Sequence, residues 1–94
     1  MATYYLFGKY SPESLKQISG ERTKKAKEII QKLGGKVRSM DALLGEKDLV
    51  FVVDLPGITE AAKASLALTK SMGISFTTSE AVSIDEFDKL AKEV

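Results

Sequence analysis

Leu43 to Gly57 reads LLGEKDLVFVVDLPG, and this stretch decides the fold. Gly45-Glu46-Lys47-Asp48 has the composition of a tight turn, Leu49 to Leu55 is apolar at both alternations, and Pro56-Gly57 stops whatever precedes it. A strand with two apolar faces belongs in the middle of a sheet covered on both sides.

Upstream, Thr3 to Lys9 (TYYLFGK) combines aromatic and branched residues without clean polar alternation and reads as a second central strand. Ser11-Pro12 starts a helix, because the hydroxyl caps free amides and proline fits the first helical position. Ser19-Gly20 marks a kink or break, after which Ala26, Ile29, Ile30 and Leu33 recur at helical spacing. Gly34-Gly35 ends that helix, one glycine serving as a left-handed cap. Lys36 to Leu44 mixes polar and apolar residues and reads as a less protected strand.

Downstream, Thr59 is expected to cap a helix whose inner face carries Ala61, Ala64, Ser65, Leu68 and Met72, with Gly73 as its end. Ile74 to Val82 alternates well enough for a fourth strand. Ser83 and Glu86 have capping-box spacing, Val82 and Phe87 stand where a hydrophobic staple needs them, and Phe87, Leu90, Ala91 and Val94 form an apolar stripe.

The order is β-α-β-β-α-β with an added C-terminal helix over a single domain, residues 1–94: an α+β, ferredoxin-like arrangement. Its two crossover helices lie on one face of an antiparallel four-stranded sheet whose first and third strands are central. The opposite face then carries residues such as Tyr5, Phe7, Phe51 and Val53 or their alternates. So much apolar surface predicts a covering partner subunit, in a homodimer or higher homo-oligomer.

Composition excludes several chemistries. The 94 residues contain no Cys and no His, and Lys+Arg 14 against Asp+Glu 13 leaves a net charge of +1. Disulfides, thiolate metal sites and cysteine nucleophiles are ruled out, and a cytoplasmic setting is expected. No histidine, Trp or Asn is available for proton transfer or recognition. The charge balance gives no field to attract nucleic acid or an anionic membrane, and no apolar run approaches the roughly 20 residues that span a bilayer. Nor do the scattered carboxylates have calcium-loop spacing. No cofactor or metal is expected.

The chain resembles the GYD domain family of small bacterial and archaeal proteins. The resemblance rests on the opening ATYYLFGKYSPE, Leu33-Gly34-Gly35-Lys36-Val37, Leu44-Gly45 with Asp48, the helix AAKASLAL, and Thr77-Thr78-Ser79-Glu80-Ala81 with Glu86-Phe87. Gly45 and Asp48 keep the first and last residues of the family signature, and Lys47 stands in place of its tyrosine. The resemblance implies a domain of the dimeric α/β-barrel kind, two sheets facing each other around a cavity, with no settled activity.

The candidate ligand-binding residues are Tyr4, Tyr5, Phe7, Arg38, Lys47 and Asp48. Tyr4, Tyr5 and Phe7, with Tyr10, offer aromatic walls with polar handles, against which stands plain core and interface packing. Gly45 to Asp48 can form a polar cluster at a cavity mouth, against which stands turn chemistry. Arg38, Asp41, Thr78 and Glu80 read as edge protection before pocket wall. Arg22, Lys24, Lys25 and Lys27 read as a solvated helix face rather than a phosphate site. Asp54, an acid in an apolar strand, is expected at a solvated strand end; buried, it would need a partner.

The function expected is binding of a small apolar or amphipathic ligand between facing sheets of a homo-oligomer, with no catalytic residue assigned. The alternatives are a cofactor-free oxygenase or isomerase, using Tyr4, Tyr5, Lys47 or Asp48 for proton transfer, and a structural or regulatory interaction module docking through the last helix.

Overall fold

A computed structural model describes residues 1–94. Four strands, β1 (Ala2–Lys9), β2 (Lys36–Ala42), β3 (Leu49–Leu55) and β4 (Ser75–Ala81), form one sheet in the order β2-β3-β1-β4. All neighbours are antiparallel. Helices α1 (Pro12–Leu15), α2 (Gly20–Lys32) and α3 (Ile58–Met72) make the two crossovers, and α4 (Ile84–Lys92) follows β4. This is the ferredoxin-like α+β arrangement.

Local chemistry explains most boundaries. Ser11 and Ser14 cap each other reciprocally at the start of α1, with Pro12 in the first turn. Ser19 breaks the helical path by capping α2 through the Arg22 amide, at 3.2 Å. Gly34, at φ 81°, takes the left-handed conformation that ends α2. Two expectations are corrected. Gly57, not Thr59, is the N-cap of α3 and provides no side-chain bond, so Thr59 falls in the first turn. Strand β2 stops at Ala42, because Leu43 already donates its amide to the Asp48 carbonyl across the loop, at 2.8 Å.

The core lies between the helices and one sheet face. Tyr4, Leu6, Phe51, Val53 and Leu55 meet Ala26 and Ile30 of α2 and Ala61, Ala64, Leu68 and Met72 of α3. Alanines on α3 let its backbone come close to the sheet. Gly8 serves the same end in β1: Phe51 and Phe76, on the flanking strands, bring their rings to 5.4 Å between centroids, and a Cβ at Gly8 would stand 2.9 Å from Phe76.

Helix α4 is different. Ser83 caps it, accepting from the Glu86 amide at 3.1 Å, the serine half of the expected box. None of its residues is buried. Ile84, Phe87 and Leu90 are 73%, 59% and 45% exposed. An apolar stripe that would normally meet a core is here left in solvent.

Candidate functional site

The pleat sends Thr3, Tyr5 and Phe7 of β1 to the face away from the helices. Register then sets their neighbours: Tyr5 is opposite Val52 and Ser79, and Phe7 is opposite Val50 and Thr77. Tyr5 and Phe7 stack with centroids 6.3 Å apart and planes 29° from parallel. The expected membership of this face is corrected here. Phe51 and Val53 point into the core, at 6% and 0% exposure, and their alternates Val50 and Val52 take the open side. Both alternations of β3 are apolar, so only pairing with β1 settles which one is covered.

One end of this apolar strip is polar. Thr3 Oγ1 donates to Asp54 Oδ1 at 2.6 Å, and Arg38 Nε lies 3.6 Å from Asp54 Oδ2. Pairing slips between Val37 and Ser39, leaving Arg38 as the extra residue of a β-bulge that brings it to the Asp54 carboxylate. Lys36 is in register with Asp54. Asp54 is therefore not a free acid at a solvated strand end: it is half-buried and has two partners, because register places Thr3 beside it and the bulge delivers Arg38. Arg38 is more than half exposed, so the pair adds orientation more than stability.

The loop between β2 and β3 is tied to the exit of β1. Asp48 donates its amide to the Gly8 carbonyl at 2.9 Å and accepts the Tyr10 amide on its carboxylate at 2.8 Å. Lys9 Nζ donates to the Glu46 carbonyl at 3.0 Å. The Asp48 carbonyl thus closes its own loop by accepting the Leu43 amide, while its carboxylate reaches across to the exit of β1. Tyr10, held this way, lies under the Arg22 guanidinium, 5.4 Å from ring centroid to Cζ, and Arg22 Nη1 donates to the Ser14 carbonyl at 2.6 Å.

Tyr4 belongs to the other side of the sheet from Tyr5 and Phe7 and is 1% exposed. Burial, helped by the Glu80 and Glu60 carboxylates, holds its hydroxyl above the ordinary tyrosine range. Nearby, Thr78 Oγ1 is buried with no hydrogen-bond partner. The six candidate residues therefore occupy three places: Tyr5, Phe7 and Arg38 on the open face, Tyr4 in the core, Lys47 and Asp48 in the loop. Tyr4 and Tyr5 face opposite ways, so the four residues named for proton transfer do not converge. Sequence reading missed the Thr3–Asp54–Arg38 cluster and the Tyr10–Arg22 stack. Both depend on partners far apart in the chain, and the apolar surroundings of Asp54 were the one available signal.

A family model described as the GYD domain matches residues 4–91. The chain belongs to the GYD domain family. The match takes in the whole sheet from Tyr4 onward and the β2–β3 loop that carries Gly45 and Asp48. No match is found among curated proteins. Among solved structures, this GYD domain is similar to the leucine response regulatory protein LrpA of Mycobacterium tuberculosis, with TM-score 0.58 and 8% identity. The likeness covers 87% of this chain and 51% of that one, so the GYD domain spans about half the regulator's length. At this identity the likeness shows the fold alone. No helix of the GYD domain is long and apolar enough to cross a membrane.

Proposed function

We propose that this GYD domain works as a homo-oligomer in which a second copy covers the open sheet face, and that the facing sheets enclose a small apolar or amphipathic ligand. The observation that carries the reading is the strip of Tyr5, Phe7, Val50 and Val52, which no element of the chain covers. Contiguous apolar surface of this kind marks an interaction site. Tyr5 and Phe7 supply the apolar walls. Arg38, anchored on Asp54, supplies a polar end. Asp48 fixes the loop that carries Lys47 at the far end of β1, and Tyr4 packs behind the strip. The absence of cysteine favours a cytoplasmic setting.

Sedimentation velocity at micromolar concentration tests the assembly. The expected result is a dimer or larger species that Val52→Asp reduces to monomers while the far-ultraviolet circular dichroism stays native. A wild-type monomer with Tyr5 and Phe7 accessible to solvent overturns the reading.

The exposed stripe of α4 favours a second reading, in which the domain is an interaction module that docks through Ile84, Phe87 and Leu90. Deleting Ser83 to Val94 separates the two. Loss of assembly with the sheet intact favours docking through α4, and unchanged assembly leaves the open face as the interface.

A further inference from the structure

On the helix side of the sheet, where α1 breaks into α2, packing leaves a cavity of about 250 Å³. Ile18 in the break between α1 and α2, Ala26 of α2 and Met72 of α3 wall it from the helix side, and Met40, Leu49 and Phe51 from the sheet. At its rim lies Arg22, the one strongly polar group with donors to spare. Nη1 is engaged by the Ser14 carbonyl and the Tyr10 ring supports the guanidinium plane, but no carboxylate approaches within ion-pair distance. The neighbouring polar groups are already committed: Ser19 Oγ accepts the Arg22 amide, and Thr23 Oγ1 donates to the Ser19 carbonyl at 3.3 Å. Asp41 is also at the rim, but it is in register with Val50, which belongs to the open face, so the pleat turns its carboxylate away from Arg22.

We propose that this cavity binds a small amphipathic monocarboxylate, a short-chain fatty acid, with the alkyl chain among Ala26, Met40, Phe51 and Met72 and the carboxylate on the free N–H groups of Arg22. Apolar walls strengthen binding roughly fourfold for each buried methylene, and a guanidinium offers a carboxylate two parallel charge-assisted hydrogen bonds. The position at the start of α2 adds the positive end of that helix. Arg22 is held in advance. Asp48 anchors the Tyr10 backbone, Tyr10 underlies the guanidinium, and the Ser14 carbonyl fixes one nitrogen. Asp48 is thereby a positioning residue for a site whose ligand it does not touch. The cavity is on the opposite side of the sheet from the proposed interface between copies, so it stands or falls independently of assembly.

The three methionines provide the assay, because Met40 and Met72 line the cavity and Met1 is far more exposed. The full chain, labelled with ¹³C at the methionine methyls, is titrated with hexanoate, 1-hexanol and hexylammonium. Hexanoate is expected to shift Met40 and Met72 and leave Met1 in place. It should bind about tenfold more tightly than hexanol, as one charge-assisted contact at a partly exposed rim provides, and hexylammonium should bind more weakly than either. Arg22→Gln should bind hexanol as before and lose the preference for the acid, and Asp48→Asn should lose part of it. The proposal is overturned if millimolar hexanoate leaves Met40 and Met72 unmoved, or if wild type binds acid and alcohol equally. The three-ligand comparison on wild type decides the matter even if a variant fails to fold.

Discussion

The two faces of β3 are built from the same kinds of residue and have opposite surroundings. Phe51, Val53 and Leu55 are sealed under α2 and α3, whereas Val50 and Val52 lie beside Tyr5 and Phe7 with nothing of their own chain above them. Apolar composition therefore says that both faces are meant to be covered, and the fold says that one chain covers only one of them. The helix side contributes the core, and the open side is the face to which the proposed second copy is assigned.

The sharpest way to break this contrast is a pair of truncations on β1, one residue apart. Leu6→Ala, in the sealed layer, is expected to cost about 2–5 kcal/mol by chemical denaturation, because a fully buried leucine leaves a cavity that the packing cannot close. Tyr5→Ala should cost less than about 1 kcal/mol at low protein concentration, and its penalty should grow as concentration rises and assembly becomes part of stability. Equal, concentration-independent losses at the two positions would remove the distinction.

A smaller effect of opposite sign is expected beneath α3. Thr78 Oγ1 is buried without a partner, so Thr78→Val should raise stability by about 1 kcal/mol, read as a higher denaturation midpoint with unchanged slope. A loss would mean that the hydroxyl has a partner in solution. On the open face, Arg38→Met should change the stability of the separated chain by less than about 0.5 kcal/mol, because its pairing with Asp54 is largely solvated.

The smallest effect is confined to alkaline pH. The folded state holds Tyr4 protonated above the value of 10.0 that an unperturbed tyrosine has, so the fold retains a proton that the unfolded chain releases first. The stability tied to this group is intact below that value and declines as pH rises from there toward the folded-state value. Subtracting the pH profile of Tyr4→Phe from that of wild type should isolate this decline, and a flat difference would argue against burial of the hydroxyl. In an absorbance titration, Tyr4 should ionise above the unperturbed value.

Much of the fold could be read before any packing was known. Strand β3 has the bounds its composition suggests, Ser11 and Ser83 cap helices, the helical path breaks at Ser19-Gly20, and Gly34 ends a helix. These are local effects, settled by turn geometry and by amides that need acceptors within a few residues. The errors have another origin. Thr59 has the right chemistry for a cap, two residues too late, since the chain turns at Gly57. The parity of β3 was illegible because periodicity carries no information when both alternations are apolar.

The candidate site divides in the same way. Its residue types were visible in the chain: aromatics in β1, an acid in an apolar strand, a glycine and an aspartate around a loop. Their arrangement came from the long-range register. Thr3 reaches Asp54 across 51 positions, Asp48 reaches Tyr10 across 38, and the bulge at Arg38 has no local signature. Sequence by itself determined the element order, the caps, membership of the GYD family, and an excess of apolar surface beyond what one chain can bury. Only the tertiary structure decided which face of β3 is sealed, that Asp54 is partnered, that Asp48 holds Tyr10 beneath Arg22, and that the stripe of α4 is left uncovered. The physical reason is that hydrogen-bonded turns and caps act within a few residues, whereas burial and strand pairing depend on segments that only folding brings together.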